Sequence, residues 1–348
     1  MVYIDSQLFL ETNQTSSRKK DHIELAFLSQ TECIDSRFYY EPFLSAHPNA
    51  NSVPQKQIAN KTLNLPLWVS SMTGGTAQAG IINRNLAMAC KEFGMGMGLG
   101  SCRIILNDNT YFEDFNVRQY LGDAVPFYAN LGIAQIEELI QSNQLHLVNE
   151  LVDKLNADGL IVHVNPLQEW LQPEGDKIQF APIDTIKRII DQINCKLIVK
   201  EVGQGFGPKS FVELLQLPIE AIEFGAHGGT NFATLELLRQ QDHIKEQLTP
   251  ITKIGHTANE MVEFANLVTA QLGSKAICKN LIISGGIKDY LDGYYLIQKS
   301  SANAIYAQAS AFLKHATGDY ETLRTYCELQ KKGLETCYTY LTIKPTSN

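Results

Sequence analysis

Eight short apolar runs recur along the chain from Leu65 onward, and they constrain the fold more than any other feature. The runs are LPLWVS at 65, GMGMGLG at 94, VPFYANLG at 125, DGLIVHV at 158, KLIVKEV at 196, IEAIEFGA at 219, NLIISGG at 280 and ANAIYAQA at 302. Continuous apolar runs bounded by turn residues are typical of strands that are buried on both faces. Helix-like segments separate most of them, which predicts parallel βαβ units. About eight such units favour a closed (β/α)₈ barrel over an open sheet.

Helices are predicted between these runs and after the last of them. The segments with helical character cover residues 81–93, 183–193, 208–215, 258–272 and 290–299. A short helix is predicted near 21–30, and a terminal helix over 320–341 is expected to cover the outside of the barrel. The chain therefore divides into an irregular N-terminal extension, residues 1–62, and a barrel with its C-terminal helix, residues 63–348.

Composition excludes several classes of partner. The net charge of −8 over 348 residues argues against nucleic acid as a main partner, because a phosphate-binding face needs a surplus of basic residues. No apolar run approaches the length of a membrane span, and the first twenty residues contain no signal-peptide core, so we expect no membrane partner. Seven cysteines without a CxxC pair favour reduced thiols and a cytoplasmic location.

Polar residues follow the carboxyl end of every predicted strand. Since these ends share one rim in a barrel, and active sites are built there, the pattern predicts a site at that rim. In strand order the residues are Ser71, Met72 and Thr73; Ser101 and Arg103; Asn130; His163 and Asn165; Lys200 and Glu201; Gly228 to Asn231; Gly285 and Gly286; and Ala309 and Ser310.

The fourth strand is followed by HVNPLQEWLQPEGD, residues 163–176, which is the most polar stretch at the rim. A chain that leaves a strand does not need so many amides and carboxylates, whereas a site on a rigid scaffold does. Glu169 and Gln168 taken alone would more often be exposed and inert, so only their place in an ordered set of motifs gives them weight.

Glycine-rich turns follow the last strands, in GGTNF at 228, SGGI at 284 and at Ala309–Ser310. Bare backbone N–H groups in such turns can hold a phosphate without a basic residue, and this is the usual phosphate position of the fold. Lys200 interrupts the apolar run of the fifth strand, where an unpaired lysine is costly to bury. We expect it to contact a cofactor or substrate, the alternative being an ion pair with Glu201.

With these residues in view, the chain resembles type 2 isopentenyl-diphosphate isomerase, an FMN-dependent family. The matching stretches are RKKDH at 18, SSMTGG at 70, GLGSCR at 98, NLG at 130, HVNPLQEWLQPEGD at 163, VKEVG at 199, GGTNF at 228 and SGGI at 284. SGGI occurs in many flavin barrels, but the 163–176 stretch is highly specific. The resemblance runs from Arg18 to about Leu313.

The resemblance implies a role for each matched residue. The flavin ring and ribityl chain would be contacted by Ser71, Met72, Thr73, Ser101 and Asn130, and Lys200 would lie near the N1–C2 edge of the ring. The turn residues that would hold FMN and its phosphate are Thr230, Gly285, Gly286, Ile287, Ala309 and Ser310. The substrate diphosphate would be met by Arg18, Lys19, His22, Arg103 and His163, with Asn165 in support. Glu169 would bind Mg²⁺, and Gln168 would face the isoprenoid carbons as the catalytic residue.

The implied reaction interconverts isopentenyl and dimethylallyl diphosphate in isoprenoid biosynthesis. An unactivated alkene is a very weak base, so the developing cation needs stabilisation. Reduced FMN would provide it and act as acid and base through N5 without net redox change, after reduction by NADPH or NADH. The extension 1–62 would contribute to the substrate site, and the family implies a homotetramer or larger oligomer.

The chain departs from the family pattern at four places. Asp21 stands where the first motif usually has Glu, and KEVGQGFGPKS introduces Gln204 and Pro208 into the loop after the fifth strand. Ile254 in KIGHT replaces a usual tryptophan, and the last phosphate turn reads Ala309–Ser310 instead of Ala-Gly. None of these changes removes a proposed catalytic group, so they bear on loop geometry and reductant access.

Two other functions stay open from the sequence. One is an FMN oxidoreductase of the 2-hydroxy-acid oxidase or dihydroorotate dehydrogenase kind, although the amide-rich HVNPLQE segment occupies the side where such enzymes carry a base. The other is an inactive diphosphate-binding or flavin-storage protein, against which the intact Gln168 and Glu169 argue. By themselves, Arg18 to Lys20 and His22 would more often be solvated surface residues.

Overall fold

A computed structural model describes residues 18–30, 33–71 and 73–345. Eight strands form the barrel: β4 (Leu67–Val69), β5 (Gly96–Gly98), β6 (Phe127–Gly132), β7 (Gly159–Val164), β8 (Lys196–Glu201), β9 (Ala221–Glu223), β10 (Asn280–Ser284) and β11 (Asn303–Gln308). All eight neighbouring pairs are parallel, and the sheet closes in the order β10-β11-β4-β5-β6-β7-β8-β9. The (β/α)₈ barrel and the position of each of its strands are therefore confirmed.

The helices follow the predicted alternation. Residues 18–25 are helical and form the described part of α1. The others are α2 (Ala77–Phe93), α3 (Arg118–Leu121), α4 (Ile133–Gln141), α5 (His146–Lys154), α6 (Pro166–Leu171), α7 (Pro182–Ile190), α8 (Pro208–Leu215), α9 (Phe232–Leu238), α10 (Asp242–Leu248), α11 (Ala258–Leu272), α12 (Tyr290–Lys299), α13 (Ser310–Ala316) and α14 (Tyr320–Tyr340). No described helix is long and apolar enough to span a bilayer.

Local sequence signals explain where several helices begin. A proline occupies the first turn of α6, α7 and α8, where its missing N–H costs nothing and its fixed φ suits the helix. Thr257 and Glu260 form a reciprocal capping box at the start of α11. The Asp319 side chain accepts a hydrogen bond from the Thr322 N–H at the start of α14. The rim loops are therefore followed by helices with defined starting points.

A β-hairpin at the amino ends of the strands is an element that sequence reasoning missed. Strands β2 (Lys56–Ile58) and β3 (Lys61–Leu63) are antiparallel and flank a two-residue turn in which Ala59 and Asn60 both have positive φ, at 57° and 62°. Such a turn has the twist that a tight hairpin needs. The Glu220 carboxylate accepts the Ala59 N–H at 2.6 Å and so fixes the turn.

The hairpin closes the core of the barrel at that end. Its buried residues pack in one cluster with side chains from the barrel strands: Ile58, Ala59, Leu63, Trp68, Tyr128, Ile161, Ile198, Ala221, Ile282, Ile305 and Ala307. Lys61 pairs with Asp158 at 2.6 Å, and Asp158 also binds the buried Arg118 at 3.1 Å. The amino end of the barrel is thus closed by packed side chains, and the open end is the one formed by the carboxyl ends of the strands.

Contacts divide the chain into two compact units, residues 40–343 and residues 1–39 with 344–348. The first contains every barrel strand. The described part of the second contains the residues of α1 and most of β1 (Phe38–Tyr40), while β12 (Leu341–Ile343) ends the first. The contribution of residues 1–62 to a substrate site stays a prediction.

We predict that Ile58→Ala lowers the free energy of unfolding by about 2–5 kcal/mol, because it leaves a cavity in a closed core. Ile58 is 1% exposed, whereas Leu267 on α11 is 56% exposed and serves as the matched control. Leu267→Ala is expected to change the free energy by less than about 0.5 kcal/mol. Urea unfolding followed by circular dichroism measures both, and equal effects would show that the hairpin is not part of the core.

Candidate active site

A cavity of about 510 Å³ lies at the carboxyl ends of the barrel strands. This volume is within the range of small-molecule and cofactor sites. Eight of the twelve residues predicted to bind a cofactor line it: Ser71, Lys200, Thr230, Gly285, Gly286, Ile287, Ala309 and Ser310. The structure therefore brings together residues from strands that are far apart in sequence.

The glycine turn after β10 forms one wall of the cavity. Gly285 has a φ of 93°, and a Cβ at this position would lie 2.0 Å from the Ala226 carbonyl oxygen, so only glycine fits. Lys288 and Lys314 also line the cavity, and sequence reasoning missed both. A phosphate in this wall would meet backbone N–H groups and two ammonium groups, whereas the sequence predicted a cradle without basic residues.

The floor of the cavity holds Lys200, Ser70 and Ser71. The Ser71 Oγ is buried and has no hydrogen-bond partner, so it is available to a bound group. Lys200 is 7% exposed, and its Nζ donates to the backbone carbonyl of Glu201 at 2.8 Å. An ammonium and a free hydroxyl on one surface fit a heteroaromatic ring with carbonyl and ring-nitrogen acceptors, which is the chemistry of a flavin edge.

The Glu201 carboxylate does not serve as the ion-pair partner that was the alternative for Lys200. Its Oε2 accepts the backbone N–H groups of Gly203, Gln204 and Gly205 at 2.7, 2.7 and 2.8 Å. Burial raises the pKa of Glu201, against the lowering effect of these three bonds. Glu201 therefore anchors the loop after β8.

The polar segment after β7 folds into α6, whose first turn carries Gln168 and Glu169. The Asn165 side-chain amide donates to Gln168 Oε1 at 3.2 Å and to Glu169 Oε1 at 2.8 Å. Glu169 Oε2 accepts the Asp176 backbone N–H at 2.8 Å. The three predicted residues Asn165, Gln168 and Glu169 are thus one hydrogen-bonded group.

Asp176 and Arg103 extend this hydrogen-bonded group, since Asp176 contacts Glu169 and Arg103 pairs with Asp176. The Arg103 guanidinium pairs with the Asp176 carboxylate at 2.5 Å, and the Gln135 amide donates to the same carboxylate oxygen at 2.8 Å. The buried Glu137 accepts the N–H of Gln179 at 2.8 Å and holds the chain that follows. The partner of Arg103 is distant in sequence, so the sequence alone could not indicate it.

Glu236 on α9 is a residue of this site that sequence reasoning missed. It is 3% exposed, and its Oε1 lies 3.4 Å from the Gln168 Nε2. Its other oxygen accepts from Arg239 at 2.6 Å, and Arg239 also pairs with Glu174. No helix was predicted over α9, so the sequence offered no signal that this glutamate is buried. Glu236 connects Gln168 to the helix that begins at the cavity-lining Phe232.

His163 is held by Asn130 at the end of the neighbouring strand. The Asn130 amide donates to the Leu99 carbonyl at 2.9 Å, so its oxygen faces His163 Nδ1 at 2.8 Å. This oxygen can only accept, and His163 therefore carries its proton on Nδ1. Burial and the nearby Lys200 ammonium lower the pKa of His163 to about 3, so the ring is neutral near pH 7.

The other predicted residues that the structure describes do not line the cavity. Thr73 and Ser101 are at the same rim but do not line the cavity, and Met72 lies outside the described residues. Arg18, Lys19 and His22 are exposed on α1 in the other compact unit. The roles assigned to all of these residues, and to Asn130, stay predictions.

The described residues contain no group of three metal-ligating side chains. Glu169 is a single carboxylate whose two oxygens accept from Asn165 and Asp176. It fits a Mg²⁺ ion that is coordinated mainly by phosphate oxygens and water, since such an ion needs few protein ligands.

A larger cavity of about 660 Å³ borders strand β8 next to α7 and α8. Its walls are mainly apolar and include Ile183, Ile186, Phe206, Leu214 and Ile254. None of the turn residues predicted to hold a cofactor phosphate lines this larger cavity. We therefore assign the active site to the smaller cavity.

Solved structures with the same architecture define the class of fold. A mandelate oxidase variant with an FMN monooxide adduct superposes with a TM-score of 0.53 at 13% identity, covering 89% of this chain and 88% of that one. A flavocytochrome b2 variant with bound sulfite gives a TM-score of 0.60 at 11% identity, covering 86% and 71%. The fold is that of a (β/α)₈-barrel enzyme.

Sequence relatives identify the family. The isopentenyl-diphosphate delta-isomerase of Nostoc sp. (strain PCC 7120 / SAG 25.82 / UTEX 2576) is 33% identical over 294 residues, which are 81% of this chain and 79% of that protein. The enzyme of the same name from Rickettsia bellii (strain RML369-C) is 32% identical over 309 residues, 86% and 85% of the two chains. No protein-family model matches the chain. The chain belongs to the isopentenyl-diphosphate delta-isomerase family of enzymes.

We predict that His163 stays neutral, with its proton on Nδ1, through the range near pH 6.5 in which an ordinary histidine titrates. Because the unfolded chain binds this proton more readily than the folded protein, protonation should destabilise the fold as the pH falls below about 6.5. Nitrogen-15 NMR of labelled histidines distinguishes the two tautomers, with His163→Gln for assignment and urea-unfolded protein as reference. A resonance that titrates near 6.5, or a proton on Nε2, would contradict the geometry.

Proposed function

We propose that this protein interconverts isopentenyl diphosphate and dimethylallyl diphosphate, with reduced FMN in the cavity as acid and base and no net redox change. One observation carries the proposal. The non-titrating amide of Gln168 lies in a fixed polar group at the same rim as a cavity whose floor holds a buried ammonium and a free serine hydroxyl. Family membership supports the reaction, and the fold of FMN-containing oxidases supports the cofactor.

Different residues of the cavity would bind the ring and the phosphate of the cofactor. When bound and reduced, FMN would supply an electron-rich ring with a nitrogen that can give and take a proton. Lys200 would neutralise negative charge at the ring edge, and Ser71 would donate to a ring acceptor. The phosphate would lie in the wall formed by Gly285 and Gly286, where Lys288 and Lys314 add positive charge.

The substrate diphosphate would bind on the α6 side of the rim. Arg103 would reach it by leaving or sharing Asp176, while Glu169 would hold Mg²⁺ against the phosphate oxygens. His163 has no proton on Nε2 in this structure, so a hydrogen bond from that nitrogen to a phosphate requires a second proton. Diphosphate binding would therefore be linked to proton uptake by His163.

Gln168 would orient or relay a proton at the isoprenoid carbons. Its side chain has both a donor and an acceptor, and Asn165 and Glu236 fix it from either end. A side chain that cannot titrate near neutral pH gives the alkene no competing base. Gln168 would therefore orient or relay the proton that the cofactor gives or takes, and would not itself act as a titrating base.

We also propose Mg²⁺ as a second cofactor, NADPH or NADH as the reductant, a homo-oligomer of four or more chains, and a cytoplasmic location. The alternative is an FMN oxidoreductase of the 2-hydroxy-acid oxidase or dihydroorotate dehydrogenase kind, which the fold similarity favours. Anaerobic absorbance spectra separate the two. If the protein is an isomerase, NADPH should bleach its flavin absorbance, whereas a 2-hydroxy acid or dihydroorotate should not. The protein should also form dimethylallyl diphosphate from isopentenyl diphosphate.

We predict that Gln168→Leu keeps FMN and diphosphate affinity but lowers turnover by about a hundredfold or more, the scale of a positioned proton-transfer group. The control is Gln172→Leu, which removes an amide from the same segment. Turnover with reduced FMN in deuterated water, with deuterium followed into the product methyl group, measures both. A Gln168→Leu enzyme that turns over and exchanges like the wild type would remove Gln168 from the mechanism.

We predict that Glu169→Gln retains FMN but loses most of its activity and of its dependence on Mg²⁺, since a neutral amide is a poor ligand for a hard cation. Glu174→Gln removes a carboxylate from the same segment that pairs with Arg239 and is the matched control. Activity is measured against Mg²⁺ concentration, and FMN affinity by fluorescence. Should Glu169→Gln lose FMN yet isomerise normally when FMN is resupplied, the metal assignment is wrong.

A further inference from the structure

Glu223 is a fully buried carboxylate directly behind the floor of the cavity. It ends strand β9, is 0% exposed, and is in register with Lys200 on β8. The Ser70 hydroxyl donates to its Oε1, and Ser70 itself lines the cavity. Its Oε2 has no partner with good hydrogen-bond geometry, although the nearby Ser284 hydroxyl favours the charged form of the carboxylate. Burying a carboxylate with an unpartnered oxygen costs free energy and therefore calls for an explanation. None of the roles described above involves Glu223.

The surroundings of Lys200 make Glu223 its natural counter-charge. Within the described chain, no carboxylate oxygen forms a salt bridge with Lys200, and the Glu201 carboxylate is committed to three backbone N–H groups. On the other side of Lys200, His163 is neutral. The elements on either side of Glu223 present Ser70 and Ser284, which do not titrate. The charge beside Glu223 is therefore that of Lys200.

We propose that Glu223 is a positioning residue that balances the charge of Lys200 when the cavity holds neutral oxidised FMN and takes up a proton when FMN is reduced. This inference rests on the proposed function, because it takes the cofactor to be FMN. One ammonium can neutralise either the Glu223 carboxylate or a negatively charged ring edge, but not both. Protonation of Glu223 then frees Lys200 for the cofactor.

A two-electron reductant, either a dihydronicotinamide or dithionite, delivers two electrons, and one proton is added to the ring, which gains one negative charge. Glu223 takes a second proton from solvent, so that its carboxylate becomes a carboxylic acid and the net charge around Lys200 is unchanged. Burial raises the pKa of the Glu223 carboxyl, and the Lys200 ammonium opposes this rise. Diversion of the Lys200 charge to the ring raises this pKa further.

The test is a potentiometric titration of the FMN holoprotein over a range of pH, which counts protons per two electrons. The pKa of Glu223 is expected to be higher with reduced FMN than with oxidised FMN. At pH values between these two pKa values, the wild type should take up two protons per two electrons. Glu223→Gln should take up one proton in that window. Glu220→Gln is the matched control, because Glu220 pairs with Lys196 across the same two strands at the amino end of the barrel, at 3.0 Å. This control should keep two protons.

A second measurement needs no variant that might fail to fold. The infrared difference spectrum of the wild type, reduced minus oxidised, should contain a carboxylic acid carbonyl band that shifts in deuterated water. A proton bound by the flavin itself produces no such band. Absence of the band, uptake of one proton at every pH, or two protons in Glu223→Gln would overturn the inference.

The two proposals fail in different ways. If the protein binds FMN and isomerises its substrate but takes up one proton, Glu223 has no charge-balancing role and the proposed function stands. If the protein binds no FMN, the proposed cofactor and this inference are both wrong.

Discussion

Closure of a parallel eight-stranded barrel is the constraint on which the rest of the structure depends. Each strand is hydrogen-bonded on both sides, so the register of one strand sets that of its neighbours. As a result His163 on β7, Lys200 on β8 and Glu223 on β9 are successive partners in one row. Partner residues in a parallel sheet point to the same face. Three ionisable groups that are far apart in sequence are thereby placed side by side at the carboxyl end.

This row explains the electrostatics of the site. Burial disfavours the charged form of an ionisable group. Because the dielectric constant is lower in the interior than in water, these groups also influence one another more strongly there. Lys200 helps to keep His163 neutral and opposes the effect of burial on Glu223. A buried charge pair contributes little to net stability, because desolvation offsets its attraction. The row therefore adds little to stability, which is consistent with the cofactor role proposed for Lys200.

The sequence predicts the barrel well because strands buried on both faces leave continuous apolar runs, and all eight of these became strands. It does not predict the β2–β3 hairpin, in which polar Lys56, Gln57, Lys61 and Thr62 surround the few buried residues and the turn contains no glycine. Eight of the residues predicted to bind a cofactor line the cavity. All of them except Lys200, which lies within β8, come after a strand and could be located by that position. Glu236 could not, because its importance comes from a contact with Gln168 across 68 positions.

Two residues at which the chain departs from the family pattern, Gln204 and Ile254, are in direct contact. The Gln204 side-chain amide donates to the carbonyl of Ile254, and its backbone carbonyl accepts the His256 N–H at 2.8 Å. The Ile254 side chain is 63% exposed. Hydrogen bonds with Gln204 hold the 249–256 segment against the loop after β8. That loop is also fixed by Glu201, whose strand carries Lys200. Contacts between Gln204 and residues 254–256 therefore link the strand that carries Lys200 to the segment that precedes α11.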